Sequence, residues 1–387
     1  MSLYQELPQP LRVLHVYRTY FPDTQGGGEE VIHQACRNTR HLGVESRVFA
    51  LSPNPSAEPL HREEADVFQA KRHVEIASCG MSLSALAPFR RQAAWADVLH
   101  YHFPWPFGDL LHLAGGEVTR KPTVVTYHSD IVRQKAIYPL YRPLMRRFLQ
   151  RVDRIIATSP NYVANSSLLQ EYRDRVQVIP IGLDDSNCPR PGDDSVAACR
   201  RRYGDDFLFF VGVLRYYKGL NFLLEAASAT RANIVIAGAG PEEQSLKAYA
   251  RDHGLHNVHF VGRISDTEKM ALLAACRAMV FPSHLPSEAF GISLIEAAMM
   301  AKPMISCEIG TGTSYVNLDR HTGLVVAPAD PAQLAQAMNL LVGDEALARE
   351  WGQNARWRYE TLFTGEAMGR QYAALYQSLA AISSSHG

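Results

Sequence analysis

The sequence predicts an α/β protein made of two doubly wound domains. Its 387 residues are too many for one ordinary hydrophobic core, so two domains are expected. In both halves, short apolar runs typical of buried strands alternate with segments of helical apolar spacing. A stretch rich in Gly, Asp, Asn and Pro, Ile181 to Gly192, predicts the linker. We therefore expect domains at residues 1–184 and 193–365, with residues 366–387 forming a helix that packs back on the first domain.

The composition argues against several classes of protein. The 39 Lys and Arg balance the 39 Asp and Glu, which argues against nucleic-acid binding by bulk charge. The six cysteines contain no C-x2-C pair, so neither a zinc site nor a disulfide framework is indicated and a reducing cytoplasm is expected. Residues 1–10 lack the apolar core of a signal peptide, and the longest apolar stretch, Phe207 to Leu214, is far short of the ~20 residues that span a bilayer. We expect a cytoplasmic protein, with attachment to the inner-membrane surface left open.

A glycine-rich turn follows the first predicted strand, Leu11 to Tyr17. Gly26, Gly27 and Gly28 stand before Glu29 and a segment of helical apolar spacing. Glycine lets the backbone come close to a ligand, and a helix start favours an anion. The pattern is not G-x-G-x-x-G, so a dinucleotide is only weakly indicated. A tight turn without a ligand remains the alternative.

The later strands of the first half carry three histidines of interest. His128 follows its strand at the carboxyl end, where α/β sheets place ligands, so it is a candidate site residue. His100 and His102 have no third ligand at convincing spacing, so we expect no metal. The strands are predicted at Ser46 to Ala50, Val74 to Ala77, Asp97 to His102, Thr123 to Asp130, Arg154 to Ser159 and Val176 to Pro180.

A basic segment, Arg120 to Arg154, has two interpretations. It contains nine Lys and Arg, with Asp130 and Asp153 as its acidic residues, and apolar residues are interleaved among them. A basic amphipathic helix of this kind can lie on an anionic bilayer. It can equally be an ordinary helix that turns its apolar side to the core, and both interpretations stay open.

The second half opens with a predicted strand at Phe207 to Gly212. Arg215 and Lys218 follow it, three residues apart, beside a helix expected from about Leu220. An arginine fork and a lysine point charge are well placed there to hold a diphosphate. The alternative is two solvated basic residues.

The remaining elements continue the βαβα alternation. Ser265 is expected to cap a helix, with Glu268 completing a capping box. A Gly-Thr-Gly-Thr loop occupies Gly310 to Thr313. The expected strands are Asn233 to Ala237, which ends at Gly238-Ala239-Gly240-Pro241, then Val258 to Val261, Met304 to Ser306 and Leu324 to Val326, with helices from about Pro331 and through Ala346 to Ala381.

The segment Ser287 to Ala297 is predicted to join a strand to a helix. A short apolar run, Ala278 to Phe281, precedes it and ends at a proline, and a helical apolar stripe follows. Glu288 would lie in the loop, and Glu296 would lie about two turns on, inside the helix. Exposed amides and the positive helix end suit a phosphate-bearing ligand. Two solvated glutamates are the alternative.

Together these residues resemble the retaining glycosyltransferases of the GT-B type in glycosyltransferase family four. The resemblance extends over nearly the whole chain and implies two Rossmann-like domains facing across a cleft. The stretch Val16 to Asp23 is also similar to bacterial O-antigen enzymes that transfer mannose or rhamnose from GDP-sugars. The motifs are Gly26-Gly27-x-Glu29, Tyr127-His128-Ser129-Asp130, Arg215-x-x-Lys218-Gly219, Gly238-x-Gly240-Pro241 and Glu288 to Glu296.

The resemblance implies a role for each motif. Arg215 and Lys218 would neutralise the donor diphosphate, Glu296 would bind the ribose hydroxyls, and Glu288 would hold the sugar. His128 would face that sugar. The donor-binding set would be Gly26, Gly27, Gly240, Ile264, Asp266, Phe290, Gly291, Ile292, Ser293 and Glu296. The role of Asp266 is inferred separately from its position after the strand that ends at Val261: it would accept hydrogen bonds from the N1 and N2 edge of guanine, although acidic residues also occur there in enzymes that use UDP-sugars. No cofactor, metal or covalent nucleophile is implied. Gly28 departs from the family, which usually has a larger apolar residue there.

These observations lead to one expected function and two alternatives. We expect a cytoplasmic retaining hexosyltransferase that uses a nucleotide-diphosphate sugar, with GDP-mannose or GDP-rhamnose favoured. Its acceptor would be a growing polyprenyl-linked polysaccharide such as O-antigen, and contact with the inner-membrane surface would suit the basic segment. The first alternative is a UDP-sugar transferase with a soluble acceptor. The second is a catalytically silent protein that binds nucleotide sugars.

Overall fold

The computed structural model describes residues 9–76, 79–131 and 138–384, and it divides the chain into two compact units. Unit 1 is Met1–Thr158, Ser167–Gly182 and Gly365–Gly387, and unit 2 is Ser159–Ser166 and Leu183–Thr364.

The sequence placed residues 159–166 in the first domain, whereas the structure counts them with unit 2. Side-chain hydrogen bonds account for the difference. Asn161 Nδ2 donates to Ser314 Oγ at 3.0 Å, and Asn165 Nδ2 donates to the Gly310 carbonyl at 3.1 Å. These partners lie about 150 residues further along the chain, so local sequence patterns cannot reveal them.

Both units consist of strands and helices in alternation. The strands are β1 (Leu11–Val16), β2 (Val44–Ser52), β3 (Leu60–His61), β4 (Asp66–Lys71), β5 (Val74–Ile76), β6 (Cys79–Met81), β7 (Val98–Phe103), β8 (Thr123–Tyr127), β9 (Arg154–Ala157), β10 (Val176–Val178), β11 (Leu208–Val211), β12 (Ile234–Ala237), β13 (Val258–Gly262), β14 (Ala278–Phe281), β15 (Met304–Cys307) and β16 (Gly323–Val326).

The helices follow the same chain order, with short 3-10 turns between some of them. They are α1 (Gly27–Arg40), α2 (Leu86–Trp95), α3 (Pro106–Ala114), α4 (Tyr138–Leu149), α5 (Pro160–Asn165), α6 (Ser167–Glu171), α7 (Asp193–Tyr203), α8 (Leu220–Ala227), α9 (Glu243–Asp252), α10 (Asp266–Ala275), α11 (Ile292–Met299), α12 (Thr313–Val316), α13 (Pro331–Gly343), α14 (Glu345–Leu362) and α15 (Gly365–Ser384). The 3-10 turns are Gly116–Thr119, Arg173–Arg175, Asp185–Asn187 and Tyr216–Lys218.

Unit 1 is built on an eight-stranded sheet in the order β10-β9-β8-β7-β1-β2-β4-β3. Every pairing is parallel except that of β3 with β4. The strand order reverses between β1 and β7, and such a switch point is where open α/β sheets bind ligands. Helix α15 returns from the end of the chain and packs its Tyr372 and Tyr376 into the core formed by the central strands.

The strand expected at Val74 to Ala77 does not belong to the main sheet. Its described part is β5, which among the described strands pairs with β6 alone, and its Val74 and Ile76 are exposed. Ala77 lies outside the described residues. The sheet takes β4 instead, which was not predicted from the sequence. Asp66, Gln69 and Lys71 dilute the apolar signal of β4, because this strand lies near the edge of the sheet where polar side chains are tolerated.

Helix α4 turns its apolar side inward, which favours the ordinary interpretation of the basic segment. Tyr141, Met145 and Phe148 are buried in unit 1, whereas Arg142 and Arg147 are exposed. Leu140 is exposed, but most of the apolar side is therefore not available to lie in a bilayer. The basic residues at positions 133 and 135 lie outside the described residues. Among the described helices, none combines the length and the apolar character that crossing a membrane requires.

Unit 2 is built on a six-stranded parallel sheet in the order β13-β12-β11-β14-β15-β16. Counted within the unit, this is the order 3-2-1-4-5-6 of dinucleotide-binding domains, with its switch point between β11 and β14. The predicted capping box at the start of α10 is confirmed. Ser265 Oγ accepts from the Glu268 amide at 3.2 Å, and the Ser265 amide donates to Glu268 Oε2 at 2.9 Å.

Glycines let the loops at the carboxyl edge of this sheet touch backbone to backbone. Gly219 has φ +68°, and a Cβ there would lie 2.0 Å from the Pro282 carbonyl oxygen. A Cβ on Gly240 would lie 2.3 Å from the Leu214 carbonyl oxygen. The loops after β11, β12 and β14 therefore lie closer together than any side chain would permit.

We expect Gly219→Ala to destabilise unit 2 far more than Gly262→Ala. Gly262 has almost the same φ, +71°, but no atom lies within 4 Å of its added Cβ. Gly262→Ala should therefore lower the free energy of unfolding by the left-handed backbone term alone, about 1–2 kcal/mol. Gly219→Ala must in addition displace backbone, and we expect a loss above about 3 kcal/mol or no folded protein. Urea unfolding of both variants tests this, and equal losses would contradict the packing argument.

Candidate active site

The switch point of unit 2 brings two opposite charges together. Lys218, in the loop after β11, pairs through Nζ with Oε2 of Glu288, in the loop after β14. Their side chains are only 11% and 12% exposed. Ser283 Oγ donates to the same carboxylate oxygen at 3.3 Å, and Lys218 Nζ lies 4.7 Å from the centroid of the Phe281 ring. The sequence identified Lys218 and Glu288 separately, and the fold makes them partners.

Arg215 adds a second positive charge beside this pair. It is exposed, directly precedes the 3-10 turn Tyr216–Lys218, and forms no ion pair with any described residue. Its guanidinium is therefore available to an anionic ligand.

The loop that carries Glu288 is held in place by the Gly-Thr-Gly-Thr segment. Thr311 Oγ1 donates to the Glu288 carbonyl at 2.8 Å, and the Gly312 amide donates to the Ala289 carbonyl at 2.8 Å. A Cβ on Gly312 would lie 2.3 Å from the ring of Phe290, so this position requires glycine. Thr311 is a supporting residue that the sequence analysis did not identify, although the glycine–threonine repeat was a visible signal.

Helix α11 begins directly after that loop. Gly291 has φ +84° and turns the chain into Ile292, the first helical residue. The amides in the first turn of a helix have no carbonyl partner within the helix, so Ile292 and Ser293 present donors at its positive end. Phe290, directly before Gly291, is buried. The structure therefore brings these predicted donor-binding residues together at the switch point.

Three charged side chains form a second group near the middle of α11. Lys269 Nζ lies 2.6 Å from Glu296 Oε1 and 2.9 Å from Asp266 Oδ1. Burial by itself would lower the pKa of Lys269, but the charge of Glu296 and the hydrogen bonds to both carboxylates raise it. Lys269 was not predicted from the sequence, although its spacing from Asp266 along α10 placed it on the same helix face. Ile264 lies in the loop that leads into α10.

In unit 1, the glycine turn begins α1 as predicted. Gly26 is the N-cap residue and Gly27 the first helical residue. Thr24 Oγ1 donates to Glu29 Oε1 at 2.7 Å, which holds a buried carboxylate under the turn. A Cβ on Gly28 would lie 2.6 Å from the Tyr17 hydroxyl, so the buried Tyr17 accounts for the glycine at this position.

His128 is held at the carboxyl end of β8 by two hydrogen bonds of its own, and a third bond closes the turn beside it. Its amide donates to the Phe103 carbonyl at 2.9 Å, and Tyr127 closes the turn by donating from its hydroxyl to Asp130 at 2.6 Å. Nε2 of His128 lies 3.0 Å from Nδ1 of His102. Burial lowers the pKa of His128 to about 4, and the positive charge of Arg18 acts in the same direction.

Behind His128 the described residues contain a group of three buried histidines. One ring nitrogen each of His15, His100 and His102 lies within 4.8 Å of the others. The rings of His100 and His102 stack at 4.5 Å, with 25° between their planes. Both nitrogens of His100 already contact hydroxyls, those of Tyr376 and Thr126, at 2.7 Å each. A metal needs nitrogens that converge in their ring planes, so this arrangement fits a hydrogen-bonded stack better than a metal site.

Comparisons with known proteins identify the family of this chain. The family described as Glycosyltransferase Family 4 matches residues 25–187, and the one described as glycosyl transferases group 1 matches residues 197–358. The chain is 51% identical over 354 residues to the D-rhamnosyltransferase WbpZ of Pseudomonas aeruginosa, which covers 92% of each chain. The chain belongs to glycosyltransferase family four. It is also 47% identical over 369 residues to the O-antigen chain mannosyltransferase C of Escherichia coli, covering 95% of this chain and 99% of that one.

The fold of this glycosyltransferase agrees with a solved structure. Sucrose-phosphate synthase from Thermosynechococcus elongatus superimposes with a TM-score of 0.79 at 21% identity, covering 96% of this chain and all of that one. The predicted GT-B fold of two Rossmann-like domains is confirmed, as is the predicted family.

We expect the stability of this glycosyltransferase to fall steeply as the pH drops below 6.5. Burial lowers the pKa of His15 to about 3 and that of His128 to about 4, and it lowers the pKa values of His100 and His102 well below 6.5. These imidazoles stay neutral in the folded chain, whereas the unfolded chain binds protons below its pKa near 6.5. The stabilisation is therefore complete above about pH 6.5 and is lost as the pH falls toward 4 and 3, by roughly 2 kcal/mol at pH 5 for each of His15 and His128. His100 and His102 add to the loss in the same direction.

Urea unfolding between pH 7.5 and pH 5 measures this loss, in a range where most carboxylates do not yet titrate. In the His128→Gln variant, the free energy of unfolding should decrease less between pH 7.5 and pH 5, by about the contribution of one histidine. A free energy of unfolding that stays constant over this range would contradict the assignment of four neutral buried imidazoles.

Proposed function

We propose that the protein is a retaining hexosyltransferase that moves mannose or rhamnose from a GDP-linked sugar to a growing lipid-linked polysaccharide such as O-antigen. The observation that carries the proposal is the Lys218–Glu288 pair at the switch point of unit 2, with the available Arg215 beside it. The two relatives that align over nearly their whole length are a D-rhamnosyltransferase and an O-antigen chain mannosyltransferase, which supports this sugar and this acceptor.

The diphosphate would bind where the positive groups of unit 2 converge. Arg215 offers a bidentate fork and Lys218 a point charge, and the first amides of α11 offer further donors. A phosphate oxygen would replace Glu288 as the partner of Lys218. The Glu288 carboxylate would then be free to accept hydrogen bonds from sugar hydroxyls. One rearrangement therefore couples binding of the diphosphate to binding of the sugar.

The nucleoside would bind at the second charged group. Glu296 would accept hydrogen bonds from the two ribose hydroxyls, and Lys269 holds its carboxylate in place. Asp266 offers two oxygens that match the adjacent N1–H and N2–H donors of guanine, whereas uracil presents only one N–H on its edge. Ile264 and Gly240 would line the neighbouring loops. The 2.9 Å contact of Lys269 with Asp266 supports a common nucleoside site, because Lys269 keeps the carboxylates of Asp266 and Glu296 close together.

Unit 1 would contribute to the sugar and to the acceptor. Gly26 and Gly27 leave the start of α1 open to close approach, and His128 presents its Nδ1 edge at the end of β8. The exposed Arg142 and Arg147 of α4 offer positive charge to an anionic lipid surface or to the phosphates of a lipid-linked acceptor. Because most of the apolar side of α4 is buried, any such contact would be mainly electrostatic.

The chemistry would rest on stabilising the departing diphosphate. Arg215, Lys218 and the amides of α11 would place positive charge where negative charge grows as the sugar leaves. Electrostatic stabilisation of this kind is usually the largest single contribution to catalysis. These groups make a divalent metal unnecessary for charge neutralisation. The family resemblance supports retention of configuration, which would require no covalent nucleophile from the protein.

We expect Lys218→Ala and Glu296→Ala each to weaken GDP binding at least about tenfold without unfolding the protein. Each change removes hydrogen bonds that involve a charged group, which are worth about 1.5–3 kcal/mol. Isothermal titration calorimetry with GDP and with UDP measures the effect, and circular dichroism checks the fold.

Glu345→Ala is the matched control for Glu296→Ala. Glu345 also forms an ion pair within helical structure, with Arg349 at 2.9 Å, but on the exposed face of α14. Unchanged GDP affinity in both site variants would defeat the site assignment. Binding of UDP and not GDP would remove the choice of base and favour the UDP-sugar alternative.

We expect transfer from GDP-mannose or GDP-rhamnose to a polyprenyl-linked acceptor to give an α-configured product from an α-configured donor, undiminished by EDTA. A retaining mechanism preserves the α configuration. The positive charges of Arg215 and Lys218 take the place of a metal, so EDTA should have no effect. NMR coupling constants of the product report its configuration. A β-configured product or loss of activity in EDTA would contradict the mechanism, and donor binding without transfer would favour the silent alternative.

A further inference from the structure

Three histidines of unit 1 form a continuous hydrogen-bonded line that ends at the proposed sugar contact. His15 Nδ1 lies 3.2 Å from His102 Nε2, and His102 Nδ1 lies 3.0 Å from His128 Nε2. They come from three neighbouring strands: His15 lies on β1, His102 on β7, and His128 directly after β8. The rings of His102 and His128 stack at 5.2 Å, with 18° between their planes.

The inner end of the line is closed and the outer end is open. His15 and His102 are 0% and 2% exposed, and Nε2 of His15 has no hydrogen-bond partner among the described residues. His128 is partly exposed, and its Nδ1 bonds to none of the described residues. A ligand can therefore reach only the His128 end.

A neutral imidazole has one N–H donor and one bare nitrogen that accepts. Two arrangements therefore satisfy the line. In the first, His15 and His102 both carry their proton on Nδ1 and donate outward, so that His128 accepts at Nε2 and carries its proton on Nδ1. In the second, every proton sits on Nε2, and His128 presents a bare Nδ1. Burial lowers the pKa values of all three histidines, which keeps them neutral and leaves these two arrangements.

The environment of Nε2 of His15, which has no partner among the described residues, favours one of the two arrangements. In the second, this buried nitrogen would carry an N–H with no acceptor, whereas in the first it keeps only a lone pair. Buried donors without a partner are rarer in proteins than acceptors without one. The first arrangement is therefore favoured.

We propose that His15 and His102 are positioning residues that fix the tautomer of His128, so that its Nδ1–H donates a hydrogen bond to an oxygen of the donor sugar. The tautomer follows from the geometry of unit 1, and the identity of the oxygen rests on the proposed function. In this arrangement His128 binds sugar as a hydrogen-bond donor and does not act as a base through Nδ1.

Long-range ¹H–¹⁵N NMR of protein labelled at histidine tests the tautomers directly. We expect His15, His102 and His128 all to show the Nδ1–H form in the free protein at pH 7.5, with the peaks assigned from His102→Phe and His128→Gln. An Nε2–H form at His128 in the wild-type protein would overturn the proposal. This measurement needs no donor, so a failure here leaves the proposed transferase activity untouched.

The His102→Phe variant tests the role in binding, with His112→Phe as the matched control. His112 is also buried in unit 1, but its hydrogen-bond partner is the Tyr101 hydroxyl at 3.2 Å, away from the line. His102→Phe should convert a measurable share of His128 to the Nε2–H form and lower kcat/KM about tenfold, the worth of one hydrogen bond. His112→Phe should change neither the share of the Nε2–H form of His128 nor kcat/KM by more than about twofold. An unchanged His128 tautomer in His102→Phe would also overturn the proposal. If that variant does not fold, the tautomers in the wild-type spectrum still test the proposal.

Discussion

The contact of Lys218 with Glu288 is the interaction on which the proposed donor site depends. It joins the two loops at the reversal of strand order in unit 2, and both side chains are almost fully buried. Removing two charges from water costs about as much as their attraction returns, so such a pair adds little to folding stability. In the proposed function, the pair would keep a cation ready at the switch point until another anion replaces the carboxylate.

Backbone packing makes that position possible. The loops after β11 and β14 approach each other through Gly219, whose missing Cβ leaves room for the Pro282 carbonyl. On the other side, Thr311 and Gly312 clamp the backbone of Glu288 and its neighbour. These glycine and threonine residues set the distance between the loops. The charged side chains on the two loops are therefore close enough to contact each other. A site built this way is held mainly by the fold rather than by its own ion pairs.

The interior of unit 1 is organised differently, by a stack of aromatic and imidazole rings between its central strands and helix α15. Tyr372 and Tyr376 supply hydroxyls to Thr126 and His100, so the end of the chain completes the polar interior of its first domain. Neutral rings can be buried together at little cost when their nitrogens and hydroxyls are paired. The same pairing makes this interior sensitive to acid, because protonation of any ring breaks the pattern of donors and acceptors.

The sequence by itself determined the fold class, the family, the glycine turn of α1, the capping box of α10 and the elements that carry each site residue. These depend on apolar periodicity and short motifs, which are local. Only the tertiary structure decided that Lys218 meets Glu288, that Lys269 bridges Asp266 and Glu296, that His15 stands behind His128, and that β4 rather than β5 joins the main sheet. Each of these depends on strand order or loop contact across many residues of chain, and no periodic pattern encodes which distant side chains become neighbours.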